Sequence, residues 1–127
     1  MTDKSLFATA INCMDGRVQE PVIEHLKTKY GVVYVDMITT AGPDGILAQM
    51  NNYEAIKEIR RLADISVGRH GSIQIAIVGH YDCTGNPVNP ALHHSHIQSA
   101  IQTLRAWYPN IDIVGLWINE NWIVEEL

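Results

Sequence analysis

The chain has 127 residues, of which 46% are hydrophobic and 18% charged, and its formal net charge is -5. This length and balance predict a single globular domain over residues 1–127 with a hydrophobic core. The negative charge and the lack of a basic run argue against nucleic acid or an anionic membrane as a partner. The first apolar run, residues 6–11, is too short for a membrane helix or a signal peptide, so we expect a cytoplasmic protein.

The first half of the chain predicts two strands and two helices. Residues 6–11 are typical of a buried strand, and residues 20–30 combine an apolar face with an early proline and a glycine beyond the end, as helices do. Residues 32–38 are rich in β-branched side chains and predict a second strand. Glycine and proline in residues 41–45 indicate a loop, and residues 52–64 repeat apolar side chains at helical spacing.

The second half continues the alternation of strands and helices. Residues 73–79 are the most apolar strand candidate and are expected at the centre of the sheet. Residues 90–108 predict a third helix, and residues 111–118 predict a fourth strand. Residues 122–124 form either an antiparallel edge strand or a short terminal helix. The pattern predicts an α/β fold with a mostly parallel four-stranded sheet, flanked by helices, with a possible antiparallel C-terminal edge strand.

Side chains that bind metals follow two of the predicted strands. Cys13 comes after the first strand, and His80 and Cys83 come after the third. Because ligands bind beyond the carboxyl ends of parallel strands, we expect these three groups to lie at one edge of the sheet. Thiolate and imidazole suit zinc, and three protein ligands leave a fourth tetrahedral position open to water. Two cysteines are too few for a disulfide framework, but from counting alone they could also be two buried, inert thiols or a single disulfide bridge.

Two motifs resemble the signature of the β-class carbonic anhydrases. They are Cys-x-Asp-x-Arg at residues 13–17 and Gly-His-x-x-Cys at residues 79–83. Further segments similar to those of the family occur in order at residues 39–42, 53–55 and 114–118. The sequence thus resembles a short, divergent member of that family over most of its length.

The resemblance implies that Cys13, His80 and Cys83 bind Zn²⁺ and that Asp15 and Arg17 form the family's catalytic dyad. It implies the reversible hydration of CO₂ to bicarbonate by a zinc-bound hydroxide that the dyad orients, in a homodimer or higher homo-oligomer. General chemistry agrees, because zinc lowers the pKa of bound water and an adjacent guanidinium keeps a carboxylate ionised. A simple ion pair at a strand-to-helix turn is the alternative interpretation of the dyad.

Three departures from the family pattern concern the surroundings of the site. Gly16 stands where the family usually has serine, Thr84 separates Cys83 from the next glycine, and Pro43 stands where asparagine is common. These departures mean that functions other than CO₂ hydration are also possible. One is hydrolysis of COS or CS₂ at the same zinc site, and another is a non-catalytic module that binds zinc or senses an anion. A thiol redox enzyme is a weaker alternative, because it would leave His80 without a role.

The sequence also predicts roles for other polar residues, although these predictions rest on weaker patterns. His93, His94 and His96 begin the third predicted helix. One of them could pass a proton between the zinc site and buffer, although a solvated helix face is the simpler interpretation. Asp82 is expected to bond to backbone amides of its own loop, and His25 is expected to be solvated.

Overall fold

Five strands and four α-helices make up residues 6–127, the part of the chain that this computed structural model describes. The strands are β1 (Phe7–Cys13), β2 (Tyr34–Thr40), β3 (Gln74–His80), β4 (Asp112–Ile118) and β5 (Val124–Glu126). The helices are α1 (Gln19–Tyr30), α2 (Pro43–Gln49), α3 (Tyr53–Arg69) and α4 (Pro90–Trp107), and a short 3₁₀ helix (Gly16–Val18) precedes α1. None of the described helices has the length and apolar character needed to cross a membrane.

The strands form one sheet in the order β2-β1-β3-β4-β5. The pairs β1–β2, β1–β3 and β3–β4 are parallel, and β4–β5 is antiparallel. The predicted fold class is therefore confirmed, including the antiparallel edge strand, while the alternative of a terminal helix is wrong. All seven residues of β3 are buried, in agreement with its predicted central position.

Helices cover both faces of the sheet. Because side chains alternate along a strand, Ile75 and Ile77 of β3 pack on one face, and Ala76 and Val78 pack on the other. The first face is covered by α2, α3 and α4 through their buried residues Leu47, Ile59, Ala63, Ile97, Ile101 and Leu104. The second face is covered by α1 through Val22 and Leu26. Each layer buries the apolar stripe of its helices, which is the main source of stability for such a fold.

The predicted loop at residues 41–45 is wrong, because α2 begins inside it. Pro43 occupies the first turn of α2, where its missing N–H costs nothing, and Gly42 has a φ of 62° that favours glycine. The same residue types that indicated a loop therefore start a helix. Other boundaries differ too: β2 ends at Thr40 rather than at residue 38, and α3 continues to Arg69 rather than to residue 64. The edge strand β5 spans Val124–Glu126 rather than residues 122–124.

The register of the sheet brings the predicted ligands to one edge. Ile11 of β1 pairs with Ile77 of β3, and Cys13 and His80 are the last residues of their strands. Since the two strands are parallel neighbours, both side chains emerge at the carboxyl end of the sheet.

Candidate metal centre

The structure brings Cys13, His80 and Cys83 together. One potential ligand atom from each residue lies within 4.8 Å of those of the other two, and all three residues are buried. The two sulfur atoms are 4.0 Å apart and both thiols are free, so they form no disulfide, whose S–S bond would be about 2.05 Å long. Within the described residues, this is a group that could hold a metal ion.

The geometry and chemistry of the group fit zinc. Zinc–sulfur bonds of about 2.3 Å in a tetrahedral arrangement place two sulfurs about 3.8 Å apart, close to the spacing of Cys13 and Cys83. His80 Nδ1 donates to the carbonyl oxygen of Tyr81 at 2.7 Å, which leaves the lone pair on Nε2. Nε2 is buried and has no hydrogen-bond partner among the described residues. An imidazole nitrogen that has no hydrogen-bond partner and lies beside two thiols is available to bind a metal ion.

The two thiols lie within hydrogen-bonding distance of each other. The Cys83 thiol lowers the pKa of Cys13 to about 4; burial opposes this shift, and the neighbouring His80 and the backbone amides of Gly42 and Asp15 add to it. The same pairing, together with burial, raises the pKa of Cys83. Without metal, the pair therefore shares one proton, and binding a divalent cation would release it.

Asp15 and Arg17 form a close ion pair at the end of β1. Arg17 Nη2 is 2.7 Å from Asp15 Oδ2, and Arg17 Nε is 3.0 Å from Oδ1. The Arg17 side-chain hydrogen bonds lower the pKa of Asp15 to about 2, so the carboxylate is ionised at neutral pH. Asp15 Oδ1 also accepts from the backbone N–H of Arg17 at 2.9 Å and caps the 3₁₀ helix. The simple capping role and the dyad role therefore share one geometry.

Arg17 also reaches the segment that carries Cys83. Its Nη1 lies 3.3 Å from Asp82 Oδ2, its Nη2 donates to the Asp82 carbonyl oxygen at 3.2 Å, and its guanidinium lies 4.4 Å from the centre of the Trp122 ring. The expectation that Asp82 bonds to amides of its own loop is wrong, because its carboxylate pairs with this guanidinium. Asp82 has a φ of 57°, a turn conformation that local sequence did not reveal.

Two of the three histidines that begin α4 are buried rather than solvated. His93 and His96 are 1% and 8% exposed, which contradicts the solvated-face interpretation. His93 bonds to Asp44, and His96 bonds to Asn86. The expectation for His25 is also wrong, since its Nε2 lies 3.1 Å from Glu126 Oε1. These contacts join residues distant in sequence, and no local pattern indicated them.

A cavity of about 600 Å³ lies beside the ligand group. Cys83 and Thr84 form part of its wall, and the aromatic and apolar side chains of Tyr81, Val88 and Trp117 form much of the rest. A larger cavity of about 710 Å³ between α1 and the C-terminal segment is lined by Arg17 and Trp122 but by none of the three potential ligands. The smaller cavity is therefore the better candidate for a substrate site.

Comparison with known proteins supports the same family over nearly the whole chain. The family model described as "Putative carbonic anhydrase" matches residues 3–127. No curated protein matches the sequence.

Several solved structures share the fold. A carbonic anhydrase from Glaciozyma antarctica aligns with a TM-score of 0.60 and 14% identity, over 98% of this chain and 82% of that one. A chain from the structures of two tetrameric β-carbonic anhydrases of Sordaria macrospora aligns with a TM-score of 0.64 and 11% identity, over 96% of this chain and 80% of that one. The β-carbonic anhydrase CcaA aligns at 0.55 and 15%, over 95% and 78%. At these identities the likeness shows a shared fold.

Proposed function

Because the chain belongs to the carbonic anhydrase family whose model matches residues 3–127, we propose that it is a zinc enzyme that reversibly hydrates CO₂ to bicarbonate. The observation that supports this best is the meeting of Cys13, His80 and Cys83 within 4.8 Å at the carboxyl edge of the sheet. Three ligands of this kind leave one tetrahedral position free, as catalytic zinc sites do and closed structural sites do not.

In this proposal, Cys13, His80 and Cys83 hold the zinc ion. When bound, the ion would lower the pKa of a water ligand and so supply a hydroxide nucleophile near neutral pH. His80 is oriented for its role by the hydrogen bond from Nδ1 to the Tyr81 carbonyl oxygen.

Asp15 orients the attacking hydroxide in this proposal and is not the base that takes the proton of the water. A carboxylate whose pKa is about 2 is too weak a base to hold a proton at neutral pH. It can accept a hydrogen bond from the hydroxide and so aim the oxygen lone pair at the carbon of CO₂, while the proton lost by the water passes to solvent. Arg17 fixes the carboxylate by side-chain hydrogen bonds from Nε and Nη2, and its guanidinium also contacts Asp82 and Trp122.

The cavity beside Cys83 suits a small, uncharged substrate. Its aromatic and apolar wall, including Tyr81, Val88 and Trp117, offers CO₂ a surface from which water is easily displaced. We assign this cavity as the approach of CO₂ to the metal centre.

The proposed function is tested by stopped-flow CO₂ hydration on pure protein whose zinc content has been measured. A rate above buffer that rises in proportion to bound zinc is the expected result. Full zinc occupancy without any rate above buffer would contradict the proposal and favour a non-catalytic zinc-binding or anion-sensing module. Turnover of COS or CS₂ without turnover of CO₂ would instead identify a hydrolase that uses the same site.

The proposal extends to assembly and compartment. We propose a homodimer or higher homo-oligomer, as the Sordaria macrospora enzymes are described as tetrameric. Size-exclusion chromatography with light scattering tests this, and a monomer at micromolar concentration would contradict it. We also propose a cytoplasmic location, because two free thiols 4.0 Å apart persist best in a reducing compartment.

A further inference from the structure

Asp44 is a fully buried carboxylate at the start of α2. Its Oδ2 lies 2.6 Å from His93 Nδ1, and its Oδ1 lies 3.2 Å from Asn86 Nδ2. A carboxylate accepts only, so both partners donate, and His93 carries its proton on Nδ1. The second N–H of the Asn86 amide donates to His96 Nδ1 at 3.0 Å. Replacing one member of this buried network leaves the others without partners.

This network reaches the loop of Cys83 through Asn86. Asp44 and His96 hold the side chain of Asn86, which stands three residues after Cys83. The same loop packs against Gly42, the residue before α2, so closely that a Cβ on Gly42 would lie 2.6 Å from the carbonyl carbon of Gly85. The position of the loop after Cys83 therefore depends on the Asp44 carboxylate, whereas Arg17 holds Asp82, the residue before Cys83.

The same turn of α2 contacts the other two ligand-bearing segments. Helix α2 contacts β1, the strand that ends at Cys13. Gly79, which directly precedes His80, packs against the carboxylate so closely that a Cβ there would lie 2.7 Å from Asp44 Oδ2. One buried side chain and the helix start that carries it thus contact the segments of all three potential ligands.

We propose that Asp44 is the positioning residue of this metal centre, and that it fixes the segments of Cys13, His80 and Cys83 relative to one another. His93 is the partner that holds Asp44 in place, which explains why a histidine is buried on the apolar face of α4. The inference rests on the proposed zinc site but not on the proposed reaction. Its physical basis is that partners behind the ligands preorganise a metal site, and their loss costs metal affinity.

The test is the zinc affinity of the folded protein, measured by competition with a chromophoric chelator. Asp44→Asn keeps the side-chain volume but cannot accept from both Asn86 and His93, and we expect its zinc affinity to fall about 10- to 100-fold. Thr9→Val is the matched control. Thr9 is also fully buried and makes two side-chain hydrogen bonds, to Ser66 and Ser72, near the start of β1. Thr9→Val should lower the melting temperature and keep the wild-type zinc affinity.

The Co²⁺-substituted proteins provide a second readout that a purely structural role would not move. All three ligands remain in Asp44→Asn, so its thiolate-to-cobalt absorption should persist while the ligand-field bands shift. Wild-type zinc affinity in Asp44→Asn, or an equal loss in Thr9→Val, would overturn the inference. If Asp44→Asn does not fold, Asn86→Ala carries the same expectation, and wild-type affinity in that variant would overturn it. A wild-type protein that binds neither Zn²⁺ nor Co²⁺ would instead refute the proposed metal centre.

Discussion

Arg17 Nη1 lies 3.3 Å from Asp82 Oδ2, and this contact ties the loop that follows Cys13 to the loop that precedes Cys83. The same guanidinium holds Asp15 through its Nε and Nη2 atoms. A planar fork with several donors can serve both carboxylates at once, whereas a lysine ammonium cannot reproduce that geometry. Arg17 is therefore well suited to hold the segments that carry Cys13 and Cys83 together.

Arg17→Lys should lower the rate of CO₂ hydration by about 100-fold, because a misplaced Asp15 no longer aims the attacking water. Zinc content should stay at the wild-type level, since the ligands are unchanged. Stopped-flow assays on samples with measured zinc content would check both expectations. Arg61→Lys is the matched control, because Arg61 also pairs with a carboxylate, Glu58, but on the exposed surface of α3 and apart from the three potential ligands. An Arg17→Lys enzyme as fast as wild type would remove the dyad from the mechanism.

Cys13→Ser should abolish stoichiometric zinc binding, because a neutral hydroxyl is a poor substitute for a thiolate ligand. Elemental analysis of the freshly purified protein measures this directly. Met14→Leu is a suitable control, since Met14 is the next residue and its side chain is largely exposed. One zinc ion per chain in Cys13→Ser would show that Cys13 is not a ligand.

Gly79→Ala should destabilise the fold by about 1–3 kcal/mol, the usual cost of overpacking a core. The added Cβ would lie 2.7 Å from Asp44 Oδ2 and 2.9 Å from Ile97 Cδ1, and both atoms are buried. Gly68→Ala in α3 is the matched control, because nothing lies within 4 Å of its added Cβ. A helical glycine replaced by alanine should gain about 0.5–1 kcal/mol. Urea unfolding of both variants would check the opposite signs, and equal effects would refute the packing argument.

Glu126 should make the stability of the protein depend on pH in the acid range. Partial burial raises the pKa of Glu126. Hydrogen bonds from Lys29, Tyr30 and His25 lower this pKa by a larger amount, so the net shift is downward. A carboxyl group whose folded pKa is depressed stabilises the fold above its unfolded pKa, about 4.3, and this contribution is lost as the pH falls through the folded pKa.

Glu126→Gln should therefore lower the free energy of unfolding at pH 7 by about 1 kcal/mol, and the difference from wild type should vanish in strong acid. Urea unfolding at a series of pH values measures this. Glu125→Gln is the control, because Glu125 lies on the same strand but bonds to Asn119 instead. A constant difference between wild type and Glu126→Gln at every pH would contradict the assignment.

Much of this architecture was predictable from local patterns. The run of apolar residues 73–79 indicated a central strand, and the helical spacing of Ile97, Ile101 and Leu104 indicated the buried face of α4. Strand ends in a parallel sheet share one edge, so the positions of Cys13 and His80 relative to their strands already predicted that they meet. Hydrophobic periodicity and strand polarity are local properties, and they suffice for these conclusions.

Residue type alone gave wrong predictions for side chains whose contacts lie far away in the sequence. His93 stands four residues before Ile97 and therefore on the same helical face, yet its polarity favoured solvent. It is buried because Asp44, 49 positions earlier, accepts a hydrogen bond from its Nδ1–H group. Likewise, the glycines and the proline of residues 41–45 favoured a loop. Helix α2 forms there because Leu47 packs into the core with residues of α4.

The sequence by itself determined the α/β fold and the family and singled out Cys13, His80 and Cys83 as candidate ligands, because these follow from patterns within short segments. Only the tertiary structure decided which side chains surround these candidate ligands, namely Asp44, Asn86 and His93 in one buried network and Arg17 with Asp82 in a more exposed pair. A buried charge is tolerated only where specific donors surround it, and three-dimensional packing alone assembles those donors from separate elements.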